Sequence, residues 1–143
     1  MEVERMSPNE ELKKAAIIYD FDGTLARGNL QECSFIPTMN MNREEFWRAV
    51  KEMTRKEDAD EILVYMHLLL AKAKEAKIEV TKEMLREHGR NAPLFRGLKD
   101  FSWFTRINAF ARRHSLDLQH YIISSGVEEM IGGCTIQQAF HRI

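Results

Sequence analysis

The chain has 143 residues, 44% apolar and 30% charged, with a formal net charge of −1; this fits a single soluble globular domain with a modest core. The near-neutral balance gives no basis for a nucleic-acid partner, and no apolar run approaches the ~18 residues that a membrane helix needs. The polar start MEVERMSPNEELKK is no signal peptide, and Cys33 and Cys134 stand apart outside any CxxC or Cys/His cluster, so neither a disulfide framework nor a zinc site is expected and a cytoplasmic location is the default.

Residues 1–11 read as a polar, loose lead-in, with Met6 an equally good start. Residues 15–21, AAIIYDF, form a continuous apolar run between Lys13-Lys14 and Gly23, the pattern of a strand buried in a parallel sheet. DGTLARGN is turn chemistry, bracketed by Gly23 and Gly28. From Asn42 the pattern becomes helical: Asn42 caps NREEFWRAVKEMTRK, with Glu44 and Glu45 in the first turn. In DADEILVYMHLLLAKAKEAK, Ile62, Leu63, Met66, Leu69, Leu70 and Ala73 recur at helical spacing, and the charged stretch Arg55 to Glu61 reads as a solvated linker. A third helix begins at Thr81 and stops at Gly89.

After Pro93 and Gly97, residues 98–114 predict one amphipathic helix with Leu98, Phe101, Trp103, Phe104, Ile107, Phe110 and Ala111 on its apolar face. A second short strand follows at Tyr121 to Ser124, and then two short helices broken at Gly132-Gly133. Parallel strands need cover and company, so two short ones call for more sheet than the chain supplies. The reading is an α/β protein with a Rossmann-like parallel sheet, incomplete here, and an inserted α-helical cap. Residues 1–28 open the core, 29–92 form the helical insert, and 93–143 return to the core and end before its remaining strands, as expected of the front portion of a longer domain.

Two carboxylates two residues apart at a strand end, Asp20 and Asp22, repel each other and call for a compensating charge or a chemical use. Strand ends of open parallel sheets face a crevice where ligands bind, and a right-handed crossover brings Ser124, at the end of the second strand, beside Asp20.

On these residues the chain resembles the haloacid dehalogenase superfamily. IIYDFDGTL is similar to its first motif, a strand ending in Asp-x-Asp-Gly-Thr, a pattern that chance produces in roughly one chain in a thousand of this length. YIISSG is similar to the second motif, a strand ending in Ser or Thr, and a helical cap between the two is the family's common plan. The resemblance covers about Ala15 to Met130. It implies that Asp20 is the nucleophile that forms an aspartyl-phosphate and that Asp22 is the general acid and then base. It also implies Mg²⁺ at Asp20 and Asp22, through the Asp20 carboxylate and the Asp22 backbone carbonyl. Ser124 would hydrogen-bond a phosphoryl oxygen, with the Ser125 and Gly126 amides as further donors and Thr24 within reach. Dehalogenating and ion-pumping relatives carry another residue at the position of Asp22, so an aspartate there implies a phosphate ester of a small metabolite as substrate.

A complete member also supplies a third-motif Lys or Arg and a fourth-motif acidic pair. Here the only Lys or Arg after Ser124 is Arg142, and Glu128 and Glu129 suit a helix start better than a metal. The resemblance therefore implies half a site and weak activity for this chain alone. The alternatives are a catalytically inactive remnant that binds a partner or phosphorylated ligand, and a chain completed by strands of another polypeptide. Ser124 as a helix cap, Trp47, Phe46 and Tyr65 as pocket or core residues, and Cys33 and Ser34 near the site are further readings. His67 reads as packed or interfacial, and the remaining histidines share no ligand spacing. Sugar phosphates, nucleotides, phosphoserine and phosphocholine-like esters all remain compatible.

Overall fold

The computed structural model describes residues 12–143, so the reading of residues 1–11 lies outside the described residues. Strand β1 (Lys13–Tyr19) leads through helices α1 (Leu30–Cys33), α2 (Phe35–Thr38), α3 (Arg43–Glu57), α4 (Glu61–Glu75), α5 (Lys82–Arg90) and α6 (Ser102–Arg113) to strand β2 (Leu116–Ile122). Helix α7 (Glu128–Gly133) and a 3₁₀ turn at Gln137–Ala139 follow. Among the described residues, no helix is long and apolar enough to cross a membrane.

The insert helices start where local chemistry dictates. The Asn42 side chain accepts the Glu45 N–H while the Glu45 carboxylate takes the Asn42 N–H, a full capping box for α3. That helix ends at Asp58, whose φ of 48° lies in the left-handed region, so Arg55 to Glu57 are helical and the expected linker shrinks to Asp58–Asp60. Asp60 caps α4 by accepting the Ile62 and Leu63 N–H groups, and Thr81 caps α5. The expected apolar face of α4 is corrected: Val64, Tyr65, Leu68, Leu69 and Ala73 are buried, whereas Ile62, Leu63, Met66 and Leu70 are exposed. The helix is apolar nearly all round, so periodicity alone does not select its buried face.

The expected Rossmann-like sheet is overturned. Among the described residues only β1 and β2 form a sheet, parallel and in register from Lys13↔Leu116 to Tyr19↔Ile122, in a mostly helical chain. Beyond them, His141 and Arg142 bond to the outer edge of β2 through His141 N–H to the His120 carbonyl and Ile122 N–H to the Arg142 carbonyl. One face of the sheet packs on α6, where Tyr19 and His120 meet Phe104. The other face is bare, leaving Ile18 60% and Ile123 68% exposed. The run AAIIY is thus continuous in sequence but alternates in burial. Strand β1 closes at Tyr19, which leaves Asp20 outside it. Strand β2 starts earlier than the expected Tyr121, because the alternation of Leu116 and Leu118 with Asp117 and Gln119 is half-polar and hides it.

A buried polar chain stitches the covered face to α6. Trp103 Nε1–H donates to the Tyr19 hydroxyl (3.2 Å), which donates to His120 Nδ1 (2.9 Å), and His120 Nε2–H donates to Asn108 Oδ1 (2.9 Å). This arrangement requires a neutral imidazole, and burial followed by the neighbouring His141 holds the His120 pKa below its usual value. A depressed histidine pKa means that the unfolded chain binds more protons, so stability falls as pH drops through about 6.5 toward the folded value. The melting temperature should therefore decline between about pH 7 and pH 5, and His120→Gln, which cannot take the proton, should lower it throughout but flatten the slope.

Helices α5 and α7 touch backbone to backbone. A β-carbon on Gly89 would overlap the Met130 carbonyl, and one on Gly133 would overlap the Arg86 carbonyl. Gly89 is therefore a contact residue inside α5, which runs on to Arg90, rather than its stop. The Cys134 thiol donates to the Gly89 carbonyl in the same seam, and burial pushes that thiol up to about 12.

Candidate active site

The loop after β1 is held from within. Phe21 is fully buried, and its carbonyl accepts the N–H groups of Leu25 (2.9 Å) and Ala26 (3.0 Å), while Gly23 donates to the Ala26 carbonyl (2.9 Å). Gly23 sits at φ +78°, a conformation that costs a side-chain-bearing residue energy. Asp20 is exposed at the strand mouth and accepts the Phe21 N–H on Oδ1 (2.8 Å). Asp22 turns inward and accepts the Leu30 N–H on Oδ1 (2.9 Å), which ties it to the start of α1. Burial pushes the Asp22 carboxyl above the usual range, the charges of Asp20 and Glu32 add to the rise, and the Leu30 N–H pulls against it.

The second loop arrives at the same level because the Ile123 N–H donates to the Tyr19 carbonyl (2.9 Å). Ser124 Oγ accepts the Gly126 N–H (3.0 Å), so that amide is engaged within the loop while the serine hydroxyl keeps its own proton to donate. A β-carbon on Gly126 would lie 3.2 Å from Ser124 Oγ and 3.3 Å from Asp22 Oδ2. The two loops thus converge on the space that the glycine leaves open. Ser124 does not cap α7, whose N-cap is Val127, and Glu128 and Glu129 occupy the first turn of that helix. Thr24 is exposed on the turn and is not part of the cleft wall.

A cleft of about 500 Å³ opens between these loops and the insert. Asp22, Ser125 and Gly126 form its floor, Gln31 and Glu32 come from α1, Trp47 and Lys51 from α3, and Glu61 and Tyr65 from α4. The Tyr65 hydroxyl donates to the Ser125 carbonyl (2.8 Å), joining the insert to the second loop, and burial, then the Asp22 charge, raises its pKa. Glu32 Oε1 accepts from Asn29 Nδ2 (3.0 Å) and from Trp47 Nε1 (2.5 Å). Trp47 and Tyr65 therefore line the cleft, whereas Phe46 is core. Ser34 instead bonds His88 (2.9 Å), Cys33 is exposed, and His67 is exposed on α4.

Gln31, Glu32, Lys51 and Glu61 carried no sequence signal: α1 is a single turn without periodicity, and the other two sit among many charges. Among the described residues, no group of three or more His, Cys, Asp and Glu side chains is placed to hold a metal. Asp20 and Asp22 each commit one oxygen to a backbone amide. The second Asp20 carboxylate oxygen and the Asp22 backbone carbonyl are hard oxygens of the type that Mg²⁺ takes.

No family model matches the chain, and no solved structure matches it. The chain is similar to an uncharacterized protein of Borreliella burgdorferi, 29% identical over 136 residues, or 90% of this chain and 47% of the relative. It thus spans about half the length of that curated relative.

Proposed function

We propose that the chain carries the nucleophile and the proton-transfer group of a Mg²⁺-dependent phosphomonoesterase of the kind seen in the haloacid dehalogenase superfamily. The observation that carries the reading is the convergence of Asp22 Oδ2 and Ser124 Oγ on Gly126, with Asp20 exposed two residues before Asp22. An Asp20 carboxylate oxygen attacks phosphorus, the bond from phosphorus to the ester oxygen breaks, and Asp22 gives its proton to the departing alcohol. Water then attacks the aspartyl-phosphate, Asp22 takes its proton, and phosphate leaves with Asp20 restored. The raised pKa of Asp22 suits a group that must hold a proton for the first half and accept one in the second. The Ser124 hydroxyl donates to a phosphoryl oxygen. Mg²⁺ bound at Asp20 and Asp22 would supply charge neutralisation between the carboxylates and the phosphate.

A second reading, a binding protein without turnover, is favoured by one observation. The one Lys or Arg after Ser124 is Arg142, which borders the cavity on the bare sheet face that Ser124 and Gly126 also line, and not the cleft that holds Asp22, so no cation of that segment lines that cleft. The deciding experiment is phosphate release from p-nitrophenyl phosphate with Mg²⁺ and with EDTA, in the parent and in Asp20→Asn. Release that requires Mg²⁺ and Asp20 supports the enzyme. Release that survives Asp20→Asn overturns it, and ester binding without release favours the binder.

A further inference from the structure

Parallel strands are ordinarily covered on both faces, yet the β1–β2 sheet has α6 on one face and, among the described residues, no helix laid over the other. On that bare face Ala16, Ile18, Tyr121 and Ile123 border a cavity of about 660 Å³, and Ile131 and Ile143 extend its apolar lining. Exposed apolar surface of this kind marks a site of association. Two opposite charges stand at its border. Glu128 and Arg142 both line the cavity and are exposed, and among the described residues neither joins an ion pair. A patch that holds apolar surface and one unpaired charge of each sign is complementary to itself. A two-fold axis crossing it midway between Glu128 and Arg142 sets each of them against its opposite in a second copy.

Other arrangements fit less well. Residues 1–11, MEVERMSPNEE, carry four Glu and one Arg, too polar a composition to cover isoleucines. Pairing along the free edge of β1 is opposed by Lys13 and Lys14, both exposed at its start, since lysines on an edge discourage strand addition. We infer that the bare sheet face docks a second copy of this chain, face to face, in a two-fold dimer centred on Ile18 and Ile123 and oriented by reciprocal Glu128–Arg142 pairs. Burial of the isoleucines supplies the attraction, and the charges fix the register. The inference is independent of the phosphomonoesterase reading.

The test is sedimentation equilibrium of the full chain over a range from about 1 to 100 μM, where an interface of modest size dissociates measurably. The average mass should rise toward twice that of the chain as concentration increases. Ile123→Asp should hold the chain monomeric throughout, and Ile18→Asp repeats the test from the other strand, with circular dichroism confirming that each variant folds. By the two-fold symmetry, Glu128→Arg or Arg142→Glu alone sets two like-charge pairs across the axis. Each should weaken the dimer about tenfold or more, and the two together should restore it to within about threefold of the parent. A parent that stays monomeric over the whole range overturns the inference, and so assigns the bare face to a different polypeptide or to none. A dimer that survives both aspartates, or that ignores the single charge reversals, overturns it too, because the copies then meet elsewhere.

Discussion

On the proposed phosphomonoesterase reading, Asp20→Asn and Asp22→Asn should each silence Mg²⁺-dependent phosphate release, yet only the second should make the fold more stable. Removing the nucleophile leaves no route to the aspartyl-phosphate, a loss of about a thousandfold or more in kcat. Removing the proton-transfer group should cost about a hundredfold to ten-thousandfold. Both asparagines keep an oxygen for the amide that the aspartate serves, Phe21 N–H in one case and Leu30 N–H in the other. Asp20 is exposed, so its replacement should move stability by no more than about 0.5 kcal/mol. Asp22 is a half-buried charge facing Asp20 and Glu32, with its pKa held above the usual range. A raised carboxylate pKa means that the native state binds more protons than the unfolded chain, so this contribution to stability is lost as pH rises through the folded value. At neutral pH the ionised Asp22 therefore strains the fold, and Asp22→Asn relieves it. Thermal melts of the two variants beside the parent, in EDTA, would show the difference. A parent-like or lower melting temperature for Asp22→Asn would contradict the electrostatic account of the site.

Gly133→Ala and Gly89→Ala should each cost about 3 kcal/mol, the upper end of overpacking penalties, because the obstacle is a backbone carbonyl that cannot rotate away. That is a large share of the roughly 5–15 kcal/mol that holds a domain folded. Gly132 provides an internal control: it lies in the same helix with nothing within 4 Å of its missing β-carbon. Gly132→Ala should stabilise by about 0.5–1 kcal/mol through helix propensity alone. Urea titrations of the three variants separate the cases, since adjacent glycines with the same chemistry should shift the midpoint in opposite directions.

The local parts of this molecule were legible and the global one was not. A helix cap at Asn42 with Glu44 and Glu45 in the first turn, a helix start at Thr81 and a turn at Gly23 are short-range physics, and each appears in the structure. The meeting of the two loops was also readable, since parallel strands of matched register bring Asp22 and Ser124 to one edge. The sheet class was not readable, because an apolar run implies cover on both faces and says nothing about whether cover exists; Ile18 and Ile123 are bare. The buried face of α4 was hidden by leucines all round.

The seam at Gly89 and Gly133 also divides the insert mechanically. With α5 seated backbone-on-backbone against α7, the end of the insert nearest the second loop is a fixed anchor. Helices α3 and α4 pack as a pair and reach that loop through the Tyr65 hydroxyl on the Ser125 carbonyl. A second tie, Trp47 Nε1–H to Glu32, holds α3 to α1, so one wall of the cleft is fixed by backbone contact and the other by side-chain hydrogen bonds that a rotamer change can release. The wall held by side chains is the one that carries Trp47, Glu61 and Tyr65, so substitutions at Tyr65 or Glu32 should loosen it without disturbing the α5–α7 seam.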